Sequence, residues 1–151
     1  MPLVDSKALL EHLRKLPTGS FAAGETLLRA GERSGKLLVL RKGRVEVSSK
    51  GVVIGELQAP GTVMGEVASL LGGPHTADLR ALTHTECHVI EAARALREDP
   101  VLTLHVAVLL AQRLERLTQQ IVALQDGAGA GKGLDQSLDQ LAKAVLFGGL
   151  A

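Results

Sequence analysis

The chain has almost no aromatic side chains. Its 151 residues include two phenylalanines, Phe21 and Phe147, and neither tryptophan nor tyrosine. A hydrophobic core must therefore be aliphatic. Proteins hold single-stranded nucleic acid largely by stacking bases on aromatic rings, so this class of ligand is disfavoured. The formal net charge is +1, which gives no general attraction to nucleic acid or to an anionic membrane.

Cysteine and long apolar runs are scarce as well. Cys87 is the only cysteine, so no internal disulfide can form and the chain fits a reducing cytoplasm. Ionisable residues interrupt the segment 1–16, which argues against a secretory signal: Asp5, Lys7, Glu11, His12, Arg14 and Lys15. No apolar run approaches the ~20 residues that cross a bilayer. We expect a cytoplasmic protein without a membrane span.

Glycine divides the chain into three zones. Eleven glycines lie between Gly19 and Gly73, none lies between Pro74 and Asp126, and six follow. In the first zone, short apolar runs at 37–40, 45–47 and 52–57 are separated by turn residues, which is typical of short strands. We predict an antiparallel β-roll, jelly-roll-like, in which Val45 and Val47 face inward.

Further strands and helices flank this roll. Ala77, Leu79 and Ala81 alternate with polar residues, and the segment from Thr83 to Ile90 indicates strand and turn. Leucines with helical spacing predict an N-terminal helix, with Asp5 or Ser6 as its N-cap and Pro17 beyond its end. The leucines of this helix are Leu9, Leu10, Leu13 and Leu16.

A long C-terminal helix is predicted from Pro100 to Gln125. Its leucine and isoleucine residues follow a heptad-like spacing: Leu110, Leu114, Leu117, Ile121 and Leu124. This stripe can pack on the roll as core or pair with a second copy in a homodimer. Both can hold along different parts of the helix.

The chain is expected to comprise a domain at 1–125, a flexible linker at 126–133 and a short amphipathic tail at 134–151. The linker sequence DGAGAGKG is not a P-loop. That motif needs a glycine five residues before Gly131 and Ser or Thr after Lys132, but Asp126 and Gly133 stand there.

The most informative segment is 61–81, GTVMGEVASLLGGPHTADLRA. Gly65 allows close approach of the backbone to a ligand, and Glu66 places a carboxylate beside it. Residues 68–71 predict one turn of helix, which Gly72, Gly73 and Pro74 end. His75, Thr76 and Ala77 then lead into an extended segment. Together these features suggest a loop-borne pocket for a phosphorylated small molecule.

This segment resembles the phosphate-binding cassette of the cyclic nucleotide-binding domain family. Gly65 and Glu66 match the glycine and glutamate of that family, and Leu70 and Leu71 match its short helix. Thr76 and Ala77 match the end of the cassette. His75 stands where the family has arginine. Upstream segments match as well, so the resemblance covers residues 5–125. The matching upstream segments are Phe21, 24–25, 30–32, 37–40, Gly43 and 45–47.

The resemblance implies a ligand, cAMP or cGMP, and no cofactor. It implies that Glu66 accepts a hydrogen bond from the ribose 2′-hydroxyl, and that cassette amides and Thr76 hold the phosphate. In the catabolite activator protein branch, a helix arginine lies near the ribose, and Arg113 matches it. Leu117 and Thr118 match base contacts. The expected ligand-binding set is Met64, Gly65, Glu66, Val67, Ala68, His75, Thr76, Ala77, Arg113 and Thr118.

The histidine at position 75 should weaken phosphate binding. Arginine offers a planar fork with two charge-assisted bonds, whereas neutral histidine offers at most one donor in a given direction. A bound phosphodiester would favour imidazolium, so affinity should rise as the pH falls through the histidine range. The alternative is that His75 is an exposed turn residue in a pocket that no longer binds nucleotides.

Other chemistry is weakly indicated. His84 and His88, with Cys87 between them, are a poor zinc motif, and a surface histidine pair is the expectation. No catalytic arrangement is recognisable, so no enzyme activity is predicted.

The predicted function is a stand-alone sensor of a cyclic mononucleotide, cAMP preferred, that acts on an effector protein. The alternative is a protein-interaction module without a ligand. Direct DNA binding is not expected, because only 26 residues follow Gln125 and none form a basic recognition helix.

Overall fold

The computed structural model describes residues 5–126. Eight strands in this part of the chain form two antiparallel four-stranded sheets. The strands are β1 Thr18–Phe21, β2 Thr26–Leu28, β3 Lys36–Lys42, β4 Val45–Ser49, β5 Val52–Leu57, β6 Val63–Met64, β7 Asp78–Ala81 and β8 Thr85–Glu91. The helices are α1 Ser6–Leu13, α2 Glu66–Leu71, α3 Ala92–Glu98 and α4 Pro100–Asp126. The predicted antiparallel β-roll with flanking helices is confirmed.

The sheet orders are β1-β8-β3-β6 and β2-β7-β4-β5. Strand β3 is the spine of the first sheet, since it pairs with both β8 and β6, and the four residues from Leu37 to Leu40 are all buried. In the second sheet, Val45 and Val47 are fully buried on β4 while their neighbours in the strand are half-buried. This is the alternation expected of a strand with one face on the core.

The described residues fall into two units, one ending at Val106 and the other beginning at Ala107. Each is treated by itself. The first holds the roll, α1 to α3 and the start of α4, where Leu102 and Val106 are buried. His105 is also buried, and its Nε2 lies 3.2 Å from the carbonyl oxygen of Gly61. The start of α4 is thereby fixed to the loop between β5 and β6.

Helix α1 begins as predicted at Asp5, whose carboxylate accepts a hydrogen bond from the Lys7 N–H at 3.2 Å. Leu9 and Leu13 are buried. Leu10, which belongs to the same set of helically spaced leucines, is 52% exposed. At a spacing of 100° per residue, Leu9 and Leu13 share one face of the helix and Leu10 turns away from it.

An ion pair joins α1 to the junction of α3 and α4. His12 Nε2 lies 2.6 Å from Asp99 Oδ2, and Asp99 Oδ1 accepts from the Leu102 N–H at 3.1 Å. Burial alone would raise the pKa of Asp99, but the hydrogen bonds from His12 and the backbone outweigh it and lower the pKa.

The histidines near β8 differ from expectation. His84 is exposed, but His88 is buried, with Nδ1 3.3 Å from the carbonyl oxygen of Leu16. The predicted surface pair is therefore wrong, because β8 lies between β1 and β3 and its side chains are covered there. Cys87 is fully buried, and this burial raises its thiol pKa to about 12. It is a core residue with no reactive thiolate near neutral pH.

Neither a membrane span nor a metal site is found between residues 5 and 126. No described helix combines the length and the apolar composition that crossing a membrane requires. No group of three or more His, Cys, Asp or Glu side chains in that range could hold a metal ion. The predicted linker beyond Asp126 and the tail at 134–151 lie outside the described residues.

Candidate functional site

The segment between β6 and β7 is built around two left-handed glycines. Gly65 has a φ of +85° and precedes α2, and Gly72 has a φ of +67° and ends it. Glycine reaches this region without the steric penalty of a Cβ. The predicted short helix is confirmed, and it begins two residues earlier than the sequence indicated, at Glu66. The Gly73 N–H closes the helix by donating to the Ala68 carbonyl at 3.0 Å.

Gly65 also lies in close contact with its surroundings. A Cβ at this position would lie 2.8 Å from the carbonyl oxygen of Lys36 and 3.2 Å from Leu28 Cδ1. It would lie 3.3 Å from Cε1 of His75. A side chain at the first bend of the cassette would therefore meet the imidazole from the second bend, so the two bends lie close together.

Glu66 is only 5% exposed. The residue takes part in an interaction within the structure, and its burial shows that it is not a solvated loop side chain. A buried carboxylate is rarely left without partners, because the desolvation of an unpaired charge is costly. Glu66 is thus fixed at the start of α2, next to the left-handed bend at Gly65.

His75 is buried as well, so the alternative of an exposed turn residue is wrong. Its Nε2 lies 2.6 Å from Ser34 Oγ. Burial lowers the pKa of His75 below its usual value, and the nearby carboxylate of Glu32 offsets part of this shift. The ring is therefore neutral at neutral pH.

Four hydrogen bonds join the loop between β2 and β3 to the cassette. The Gly31 N–H donates to the His75 carbonyl at 2.8 Å, and the His75 N–H donates to the Glu32 carbonyl at 2.9 Å. Ser34 contacts the His75 ring, and Arg33 Nη1 donates to the carbonyl oxygen of Gly72 at 2.5 Å. Sequence analysis missed this role of Arg33 and Ser34. A contact between residues 41 positions apart leaves no periodic signal.

The other predicted ligand-binding residues differ in exposure. Met64 is buried on β6 and Ala77 is 8% exposed, so both belong partly to the core. Thr76 and Val67 are exposed, and Ala68 is half-buried. Within the first unit, the structure thus brings Gly65 and His75 close together.

Arg113 and Thr118 lie on α4 in the second unit. The Thr118 hydroxyl donates to the Leu114 carbonyl of its own helix at 2.9 Å. Arg113 is half-buried and takes part in an interaction within the structure. Their predicted roles at the ribose and the base stay predictions.

Comparison with known proteins agrees with this architecture. A sequence model described as the cyclic nucleotide-binding domain matches residues 18–98, which is more than half of the chain. The chain therefore belongs to the cyclic nucleotide-binding domain family.

Individual relatives cover the chain to different extents. It is 38% identical over 69 residues to the cGMP-dependent protein kinase egl-4 of Caenorhabditis elegans; the match covers 46% of this chain and 9% of the kinase. The catabolite activator protein of Thermus thermophilus superposes with a TM-score of 0.64 at 21% identity, covering 82% of this chain and 61% of that one. A cyclic nucleotide-binding domain from Methylobacillus flagellatus KT gives 0.61 at 22% identity, covering 74% and 70%. These two structural matches show the fold.

Proposed function

We propose that this protein is a regulatory domain that binds a cyclic mononucleotide, cAMP in preference to cGMP, at its cassette. Occupancy is passed through α4 to an effector protein, and the domain itself carries out no reaction. The observation that carries the proposal is the closeness of the two cassette bends, since a Cβ at Gly65 would lie 3.3 Å from His75 Cε1. A cyclic phosphodiester needs donors from both bends at one place.

Each part of the nucleotide has an assigned partner. Buried Glu66 accepts a hydrogen bond from the ribose 2′-hydroxyl, and its burial supports this role because the hydrogen bond forms away from water. Backbone N–H groups at Gly65, Val67, Thr76 and Ala77, with the Thr76 hydroxyl, hold the phosphate. Met64 and Ala68 line the pocket.

Helix α4 supplies the remaining contacts and the output. By the family resemblance, Arg113 is assigned to the ribose and Thr118 to the purine. The ligand can shift α4 from one position to another only if the protein binds the ligand more tightly with α4 in the second position.

A homodimer through α4 is part of the proposal. Leu114 is 65% exposed and Ile121 is 44% exposed, while Leu110, Leu117 and Leu124 are half-buried. Exposed leucine and isoleucine at heptad spacing are the residues that a second helix covers in a coiled coil. The proposed place of action is the cytoplasm.

The direct test is thermal unfolding with cAMP and with cGMP. Ligand at a hundred times its dissociation constant should stabilise the domain by about 2.7 kcal/mol. Differential scanning calorimetry suits this chain, which has no tryptophan or tyrosine for fluorescence. Glu66→Gln should reduce the shift, and Glu11→Gln on exposed α1 is the matched control. Failure of both nucleotides to raise Tm, at millimolar concentration, would contradict the proposal.

Binding should also depend on pH. Burial lowers the pKa of His75, and a phosphodiester next to the ring favours its charged form, so nucleotide binding takes up a proton. Affinity should therefore rise as the pH falls below the usual histidine value of about 6.5. Titration calorimetry at pH 8, 6 and 5.5 measures this, with His75→Gln as the control that should lose the dependence. Equal affinities at all three pH values would remove His75 from the phosphate.

The second candidate is a protein-interaction module that has kept the fold and no longer binds nucleotide. The hydrogen bond between His75 and Ser34 favours it, because the ring is already engaged. The two candidates differ in the thermal experiment: a module of this kind shows the same Tm with and without nucleotide, and still dimerises.

A further inference from the structure

A cavity of about 270 Å³ lies beside the cassette and is separate from most of the proposed nucleotide contacts. Its walls come from three segments: the loop before β3, the end of α2 with the following turn, and the start of α3. Of the proposed nucleotide residues, Ala68 and His75 line it, but Glu66, Thr76 and Ala77 do not. The cavity thus borders the C-terminal part of α2 and the turn that follows it.

The walls are made of small residues. Glycines and alanines line most of the cavity, among them Gly35, Gly72, Ala92 and Ala93. Ligand pockets for drug-sized molecules run from about 300 to 1,000 Å³, so this volume is at the lower limit. It suits a small ion or metabolite and is too small for a second nucleotide.

Arg33 places a fixed cation at this cavity. Its Nη1 donates to the carbonyl oxygen of Gly72 at 2.5 Å, which fixes the guanidinium at the end of α2. Between residues 5 and 126, neither a carboxylate ion pair nor another side-chain hydrogen bond is found for Arg33. The remaining donors of the planar fork are therefore available, and that fork matches the oxygens of phosphate or sulfate.

Ser34 and His75 add a second polar group to the same wall. Ser34 Oγ accepts from the Lys36 N–H at 3.1 Å and lies 2.6 Å from His75 Nε2. A hydroxyl carries one donor and two acceptor positions. When the imidazole Nε2–H donates to Oγ, both acceptor positions are filled and the Ser34 hydroxyl hydrogen is left to donate elsewhere.

We propose that this cavity is a binding site for a small tetrahedral oxyanion, either inorganic phosphate or the phosphate group of a small metabolite. Arg33 supplies the charge-assisted bonds, Ser34 supplies a hydroxyl donor, and the glycine and alanine walls leave room for the anion. The site goes beyond the proposed nucleotide function and does not depend on it.

The test is calorimetric titration of the full chain with inorganic phosphate in the absence of cyclic nucleotide, against sodium chloride at equal ionic strength. Phosphate should bind and raise Tm, and chloride should not. Arg33→Gln should weaken phosphate binding at least tenfold, because a charge-assisted pair is lost. Arg29→Gln, an exposed arginine in the same segment, should leave the binding unchanged.

Two further variants locate the anion. Ala93→Leu fills the cavity from α3 with a good helix former and should abolish phosphate binding while Arg33 stays in place. Thr76→Val alters the proposed nucleotide site and should have no effect. If Thr76→Val abolishes binding and Ala93→Leu does not, the anion occupies the nucleotide site and the proposal is wrong. Equal binding by the Arg33→Gln protein and the unaltered chain also overturns it. A titration with glucose 6-phosphate then separates free phosphate from a small phosphorylated metabolite.

Discussion

Replacing His75 with arginine should tighten cyclic nucleotide binding by roughly ten- to a hundredfold. The gain follows from one additional charge-assisted hydrogen bond, worth on the order of 1.5–3 kcal/mol, and about 1.4 kcal/mol corresponds to a tenfold change in Kd. Neutral imidazole cannot supply this bond, and burial lowers the pKa of His75, so the charged form is scarce at neutral pH. Titration calorimetry with cAMP at pH 7.5 measures the change.

The structure adds a second reason to expect a gain. His75 Nε2 is engaged with Ser34 Oγ at 2.6 Å, so nucleotide must compete with that contact. Arginine is longer and carries five N–H donors, so its fork can reach past Ser34 to the phosphate. Burying an unpaired guanidinium is unfavourable. Without ligand, the H75R protein should therefore have a lower Tm than the unaltered chain, and ligand should raise its Tm by more.

His75→Lys is the matched control for H75R. Lysine restores a positive charge without the planar fork, so it should give an affinity between those of the unaltered chain and the H75R protein. The pH dependence of affinity should disappear in both variants, since neither side chain titrates near pH 6. No gain from either substitution would argue that the phosphate lies elsewhere and would favour the interaction module.

The sequence was most informative where the determinants of structure are local. Gly72, Gly73 and Pro74 end α2 through their own backbone preferences, so the short helix could be predicted from a few adjacent residues. Strands β3 to β5 were likewise visible as apolar runs between turn residues. The cassette part of the family resemblance likewise rests on one continuous segment, residues 61–81.

Features that depend on distant residues were missed. Strands β1 and β2 are short, three or four residues each, and exist because β8 and β7 pair with them. His88 is buried because its strand lies in the middle of a sheet. The sequence around a single histidine does not indicate whether its side chain is buried or exposed. Helix α3 was also missed, although its alanine, leucine and arginine residues have a high helix propensity. In the chain it lies directly between β8 and α4.

The site shows the same division. Local motif reasoning predicted Gly65, Glu66 and His75 as site residues, and the structure places them at two bends that lie close together. It could not identify Ser34 as the partner of His75, or Arg33 as the cation on the Gly72 carbonyl. A loop of seven polar and small residues before β3 gives no indication of what it contacts.

Replacing Gly43 with alanine should destabilise the domain more than any other single glycine-to-alanine change in the roll. Gly43 lies between β3 and β4 with a φ of +107°. A Cβ there would lie 2.6 Å from Thr85 Oγ1 and 2.8 Å from both the His84 carbonyl oxygen and Thr85 Cα. Two of these are backbone atoms in or next to β8, which is held on both sides by β1 and β3, so the neighbour cannot move aside.

Two penalties add at this position. A non-glycine residue in an unfavourable φ region costs about 1–3 kcal/mol, and overpacking costs roughly 1–3 kcal/mol more. The sum, about 2–6 kcal/mol, is a large part of a typical domain stability of about 5–15 kcal/mol. Urea unfolding followed by far-UV circular dichroism should show a much lower midpoint or no folded baseline.

Gly51→Ala is the control that separates the two penalties. Gly51 has a φ of +78°, and nothing lies within 4 Å of its Cβ position. Only the conformational penalty should appear there, about 1–2 kcal/mol. Equal losses at Gly43 and Gly51 would mean that β8 moves to accommodate the methyl group. The close approach of Thr85 and His84 to Gly43 would then place no constraint on β8, and the overpacking penalty would be absent.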